Sequence, residues 1–166
     1  MAHDRNIFEM LSPPKIRPAA EKDCPAMTEV ALTSKAFWGY SDDFMKGCEA
    51  ALTVKPWMIE DWQSGVVEDD GSIAGFYLAS FDLEEAELQL LYVSPLAMGK
   101  GYGRALIRDA SEKAVRLGYK HLRIEADPNA TGFYRKMGAR QIGWCRSEVE
   151  VSRELPLLNL PLRPIK

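Results

Sequence analysis

The feature that most constrains this chain is a double change of hydrophobic period around a glycine-rich turn. Glu85 to Val93 reads as a strand, with Leu88, Leu90 and Tyr92 alternating against Glu87, Gln89 and Leu91. Both sides are largely apolar toward its end, which suits a central strand covered on both faces. Pro95 stops it, and Met98-Gly99-Lys100-Gly101-Tyr102-Gly103-Arg104 comes next. The spacing then becomes helical: Tyr102, Leu106, Ala110, Ala114 and Leu117 share one face, and Gly118 is placed to end the helix. His121 to Ala126 returns to alternation through Leu122, Ile124 and Ala126. Strand, helix, strand predicts a parallel pair joined by a right-handed crossover.

The flanking segments complete an α+β chain. Met1 to Pro14 reads as an extension closed by Pro13-Pro14, and 15–166 as a single domain. A short strand at Lys15 to Arg17 precedes a helix with Asp23 as N-cap, Pro25 in its first turn, and Met27, Val30, Ala31 and Ser34 on its buried face. Phe37 to Ser41 reads as a loop, followed by helical stretches at Asp42 to Leu52 and Pro56 to Trp62. Val66 to Glu68 and Ile73 to Phe81 flank Asp69-Asp70-Gly71, a hairpin signal. After the crossover come a short helix, Ala130 to Met137, and two strands, Gln141 to Glu150 and Leu155 to Leu160. The sum is a mixed, mostly antiparallel central sheet with one parallel βαβ crossover and helices on both faces. Pro156 and Pro161 suit an edge position for the last strand, where a second copy would pair to make a homodimer.

Composition removes several function classes. Net charge is −3 and basic residues are scattered among acids, so nothing points to nucleic acid or to an anionic membrane. No apolar stretch approaches the roughly 20 residues that span a bilayer, and Met1 to Leu11 lacks the apolar core of a secretory signal. Cys24, Cys48 and Cys145 are odd in number and widely spaced, which argues against disulfides and a metal site. A reduced cytoplasmic protein is the simplest reading.

Glycines between a strand and a helix let backbone N–H groups face a ligand, and the helix N-terminus adds partial positive charge. That combination binds anions, phosphate above all; a tight connection with spare glycines is the plain alternative. A dinucleotide fingerprint fails, because Arg104 or Leu106 occupies its third glycine position, and no P-loop run exists.

The turn does resemble the [Q/R]-x-x-G-x-[G/A] pyrophosphate loop of the GNAT superfamily of N-acetyltransferases, with Gly101 and Gly103 at the small positions and Met98 where the family has Gln or Arg. Lys100 and Arg104 are candidate substitutes for that side chain. Asp127 to Ala139 resembles a second family pattern, N-A-x-x-F-Y-x-K-x-G. The resemblance covers roughly Lys15 to Gly143 and implies a GNAT-like fold that transfers acetyl from acetyl-CoA, as co-substrate, to an amine of a small molecule or peptide, without a metal. By the same resemblance the coenzyme lies against Leu91, Tyr92, Val93, Met98, Gly99, Lys100, Gly101, Tyr102, Gly103, Arg104, Asn129, Phe133 and Tyr134. The amide near Leu91 is the expected oxyanion donor and Tyr134 the general acid. Alternatives from the residues alone are a core aromatic for Tyr134 and an N-cap for Asn129. Glu87, upstream on the same strand, is a candidate base, against a water relay or a merely solvated sheet edge. Cys24 has no histidine near it in sequence, so direct attack in a ternary complex is preferred to an acyl-cysteine.

Trp38 and Tyr40, in Phe37-Trp38-Gly39-Tyr40-Ser41-Asp42-Asp43, are candidate acceptor contacts, because ring faces beside carboxylates suit a cationic amine. Helix-linker packing explains the same aromatics. The rival class is a non-catalytic acyl-CoA-binding sensor or assembly protein, which Met98 favours and Tyr134 opposes.

Overall fold

A computed structural model describes residues 13–164; residues 1–12 of the expected extension lie outside the described residues. The strands are β1 (Ile16–Arg17), β2 (Gln63–Asp69), β3 (Ser72–Phe81), β4 (Ala86–Val93), β5 (His121–Glu125), β6 (Arg140–Arg146) and β7 (Glu154–Pro161). The helices are α1 (Cys24–Ala36), α2 (Asp42–Leu52), α3 (Pro56–Asp61), α4 (Tyr102–Arg116) and α5 (Thr131–Lys136).

The hairpin sets the first half of the sheet. Asp69 pairs Ser72, leaving Asp70 and Gly71 as a two-residue loop at φ 53° and 80°. Positive φ at both matches the right-handed twist of the strands they join. The strands then run in the order β1-β2-β3-β4-β5-β7-β6, with β4 and β5 parallel and the other pairs antiparallel. One apolar cluster packs α4 and α5 on one face through Leu106, Ile107, Ala110, Ala114 and Tyr134. The other packs α1 and α2 on the opposite face through Met27, Val30, Ala31, Cys48 and Leu52. The expected mixed sheet with helices on both faces is the fold.

Four details depart from the sequence reading, each for a local reason. Asp23 does not cap α1; its carboxylate accepts from Ala20 N–H at 2.7 Å and pairs with Arg17 at 2.8 Å, closing a 3-10 turn at Glu21–Asp23 instead. Leu117 is exposed, because the helix has ended at Arg116. The strand at 140 stops at Arg146, where Ser147 Oγ accepts from the N–H groups of Val149 and Glu150 and turns the chain back. Finally, β7 is not an edge: it lies between β5 and β6, and β6 is the edge strand. Pro156 lies one residue past Glu125↔Leu157, where pairing to β5 runs out, and Pro161, opposite His121, lies past Arg140↔Asn159, where pairing to β6 runs out. Ala126 N–H donates to Pro156 O at 3.0 Å, and proline has no N–H to return.

A bulge in β4 decides which side chains of that strand reach which side of the sheet. Leu78 pairs Leu90 but Ala79 pairs Leu88, so Gln89 is an extra residue. The alternation expected from Leu88 through Tyr92 is therefore broken. Leu88 packs with the α4 face, whereas Leu90 and Tyr92 pack with the α1 face and Leu91 and Val93 return to the α4 face. One inserted residue exchanges the faces of everything after it.

Candidate active site

Parallel pairing of β4 to β5 covers only Ala86 to Leu88 against Leu122 to Ile124. Beyond that β4 runs on to Val93 while β5 ends at Glu125, so a gap opens between them. Ser94 N–H bonds back to Ala74 O on β3 at 2.7 Å. With period two, the N–H groups of Leu90 and Tyr92 point the same way and those of Leu91 and Val93 point into the gap. Unpaired main-chain donors at Leu91 and Val93 are the consequence of that geometry.

The gap joins two clefts. The first, ≈ 390 Å3, is bounded by β4, the glycine turn and α5. Of the expected coenzyme contacts, Leu91, Tyr92, Val93, Met98, Gly99, Gly101, Tyr102, Gly103, Arg104, Asn129, Phe133 and Tyr134 all line it. Gly99 and Gly101 have φ of 80° and 82°, a conformation only glycine adopts without strain, and a Cβ at either would meet nothing within 4 Å. These two glycines hold the turn open to a ligand at the start of α4. Gly103 serves packing instead. A Cβ there would lie 3.3 Å from the Phe133 ring, so its smallness lets α5 pack against α4. Lys100 does not line the cleft; its Nζ pairs with Asp69 at 2.6 Å across the sheet hairpin.

Tyr134 is buried on α5, edge-on to Phe133 at 5.1 Å, and also borders the first cleft. Burial, helped by the charge on Asp127, pushes its phenol far above the ordinary value, so it stays protonated at neutral pH.

The second cleft, ≈ 430 Å3, lies on the other side of the gap and shares Lys35, Leu88, Gln89, Leu90, Tyr92, Glu125 and Asp127 with the first. Glu87 faces this second cleft. It accepts from Arg123 Nη1 at 2.8 Å, and burial raises its pKa despite that partner. The expected acceptor aromatics are not brought together. Trp38 lines the first cleft, whereas Tyr40 lines neither.

Tyr40 instead enters a network that sequence reasoning missed. Lys35 Nζ donates to Asp127 Oδ2 at 2.5 Å, and Tyr40 Oη donates to the same oxygen at 2.8 Å. Arg153 Nη2 donates to Tyr40 Oη at 2.5 Å. Asp127 also accepts from Asn129 N–H at 2.8 Å, so it, not Asn129, caps the turn that leads into α5. Burial works to raise the Asp127 pKa, but Lys35, the Asn129 N–H and Tyr40 outweigh it and hold the carboxyl below its usual range. Nothing in the local sequence signals this, since the partners come from distant segments.

Comparison with known proteins gives these observations a family. A model of the acetyltransferase (GNAT) family matches residues 34–139, more than half of the chain, and the chain belongs to that family. It is thereby a member of a family of acetyl-CoA-dependent N-acetyltransferases. A peptidyl-lysine N-acetyltransferase, YjaB, of Salmonella typhimurium is 35% identical over 95 residues, which span 57% of this chain and 60% of that protein. In three dimensions the chain resembles a GCN5-related N-acetyltransferase from Rhodopseudomonas palustris, with TM-score 0.78, 20% identity, and coverage of 91% of this chain and 97% of that one. It also resembles a PaiA N-acetyltransferase from Thermoplasma acidophilum in complex with coenzyme A, with TM-score 0.69, 19% identity, and coverage of 89% and 98%. No helix among the described residues is long and apolar enough to cross a membrane.

Proposed function

We propose that this chain moves the acetyl group of acetyl-CoA directly to a primary amine that enters through the second cleft and attacks in the gap between β4 and β5. The observation that carries the reading is the meeting of two clefts at an unpaired stretch of β4, with Tyr134 on one side and Glu87 on the other. Acetyl-CoA supplies a thioester, the electrophile. The residues present fit such a ligand: a glycine turn with free space at Gly99 and Gly101, the N-terminus of α4, and a mostly apolar channel toward Tyr134.

Each residue then answers one chemical demand. An alkylamine has a pKa of about 10 and is almost wholly protonated near neutrality, so its proton must leave before attack. Glu87, with its pKa raised by burial, accepts that proton more readily than an ordinary carboxylate does. The Leu91 N–H, pointing into the gap, stabilises the negative charge that builds on the carbonyl oxygen. As the N–C bond forms and the C–S bond breaks, Tyr134 gives its proton to the departing sulfur and regains one from solvent. Arg104, bordering the same cleft, is the remaining cation for the pyrophosphate once Lys100 is engaged with Asp69.

A rival reading, an acyl-CoA binder without catalysis, draws on Met98 in the glycine turn and on the diversion of Lys100. One experiment separates them: thiol release from acetyl-CoA with a panel of small amines, polyamines and lysine peptides. The relative from S. typhimurium is named for peptidyl-lysine, which is why lysine peptides belong in the panel. Amine-dependent release supports transfer. Thermal stabilisation by CoA and acetyl-CoA, with no release for any amine, replaces it with the binder.

A further inference from the structure

The second cleft has two unlike ends. Its outer wall is aromatic. Trp57 and Trp62 meet edge-to-face at 5.0 Å, and Phe44 and Met58 continue the wall. Trp57 is 45% exposed and stands on α3, a six-residue helix in which no residue is buried. Met58, Ile59 and Trp62 pack against the α1-face core, but Trp57 does not, so packing of the core leaves its indole over the cleft unexplained. The inner end is acidic. Arg123 is shared by Glu87 at 2.8 Å, Glu125 at 3.2 Å and Glu85 at 3.9 Å, so a single guanidinium faces three carboxylates. Two of these, Glu87 and Glu125, line the cleft, and Glu125 borders both clefts at the gap. The neighbouring carboxylate, Asp127, is by contrast answered by both Lys35 and Arg153. Arg146 and Glu148 also line the cleft, one charge of each sign, so the surplus of carboxylate is local to the Arg123 cluster, at the end where Glu125 borders the gap.

Resting on the acetyl-transfer reading, we propose that the acceptor is a small arylalkylamine, a primary ammonium joined by a short saturated chain to a flat apolar ring, with its ring against Trp57 and Trp62 and its nitrogen at the Glu87 and Glu125 end. The cleft has the volume of a small-molecule site. A lysine side chain of a protein, a thin tetramethylene ending in a charge, would reach the acidic end but leave both indoles uncovered. A polyamine would satisfy the carboxylates and could set an ammonium over an indole, but its thin chain would cover little of either ring. A ring-bearing monoamine covers the indoles, and aromatic pairs of this geometry add to the area they bury. The reaction balances as R–NH3+ plus acetyl-CoA giving R–NH–CO–CH3, CoA thiol and one proton.

The test measures thiol release with 2-phenylethylamine, tryptamine, hexylamine, spermidine and a lysine peptide as acceptors. The aromatic amines should exceed spermidine and the peptide in kcat/KM by about tenfold or more, the scale at which a filled apolar pocket discriminates. Trp57→Ala should remove that advantage through acceptor KM, leave the KM for acetyl-CoA unchanged, and be largely rescued in Trp57→Phe. The unchanged KM for acetyl-CoA shows that the variant has folded. A preference for spermidine or the lysine peptide overturns the acceptor class while leaving acetyl transfer intact, as does equal use of hexylamine and 2-phenylethylamine. An unaffected Trp57→Ala places the acceptor elsewhere. Absence of thiol release with every amine overturns the transfer reading itself.

Discussion

Lys35→Met is the most informative single perturbation, because Lys35 and Asp127 form a nearly closed ion pair across the two clefts. Their side chains are only 12% and 11% exposed, and Nζ to Oδ2 is 2.5 Å. Removing one member of a buried pair costs about 3–5 kcal/mol, mostly from the charge left behind. Here the stranded carboxylate keeps Tyr40 Oη and the Asn129 N–H, and Arg153 stands 3.8 Å away. These partners reduce the expected loss to about 2–3 kcal/mol, or about 4–12 °C in Tm for a chain of this size. The pH dependence carries the sharper test. In the wild type the folded pKa of Asp127 lies below its ordinary value of 3.8, so its contribution is complete above about pH 4 and is lost as pH falls through the folded value. Without Lys35 the folded pKa of Asp127 rises relative to the wild type, so the variant's carboxyl takes up its proton first and the stability gap between the two proteins narrows as pH falls from about 7 to about 4. Urea denaturation of both proteins at the two pH values measures the difference. A gap that stays constant with pH, or one below about 0.5 kcal/mol at neutral pH, would refute the assignment of a buried, charge-dependent anchor.

Three further outcomes rest on the same geometry. Tyr134→Phe should lower kcat by about 10²-fold or more with little change in the KM for acetyl-CoA, read by steady-state thiol release; an unchanged kcat removes the acid role. Because burial raises the Glu87 pKa above its ordinary value of 4.5, the acidic limb of kcat/KM should lie above the usual carboxylate range and vanish in Glu87→Gln; persistence of that limb assigns proton removal to a water relay. Gly101→Ala, at φ 82°, should cost about 1 kcal/mol of stability and weaken CoA binding by calorimetry, whereas full-strength binding would show that the turn tolerates a side chain.

The parts of this fold that are legible in the sequence are those set by local pattern. The strand, glycine turn and helix from Glu85 to Arg116 depend on residue spacing within a few turns of chain, as does the D-G hairpin at Asp70 and Gly71. The bulge at Gln89 is not legible, because Glu87-Leu88-Gln89-Leu90 alternates perfectly in one dimension, and only pairing with β3 shows which residue is extra. Pro156 and Pro161 suggest an edge by the right rule, but each falls just past the end of a neighbouring strand, Pro156 past Glu125 of β5 and Pro161 past Arg140 of β6, so no N–H is needed there. The Asp127 network is hidden for another reason. Lys35 and Tyr40 lie 92 and 87 residues from Asp127, Arg153 lies 113 residues from the Tyr40 hydroxyl it donates to, and each looks locally like an ordinary surface polar group. Trp57 and Trp62 read as part of a weak helix, and nothing short of the fold places them over a cleft.

The bulge and the two charge clusters also explain one another. Exchanging the faces of β4 after Gln89 sends Leu91 and Val93 toward the α4 face while Leu90 and Tyr92 pack toward α1, so one strand forms a wall of both clefts. Where β4 and β5 part, each cleft meets a carboxylate from the end of β5 or just past it. Asp127 is neutralised by Lys35 and Arg153 and serves as an anchor, tying α1 and the 147–153 turn to the entry of α5, and hence to Tyr134. Glu125 shares an overcommitted Arg123 with Glu87 and retains net negative charge. A cation in the second cleft is thus drawn to the Glu87 end and not to Asp127, although both border the same space. On the proposed reading, this separation of a satisfied from an unsatisfied carboxylate divides the work at the gap: Asp127 fixes the position of the acid, and the Glu87 and Glu125 end attracts and deprotonates the amine.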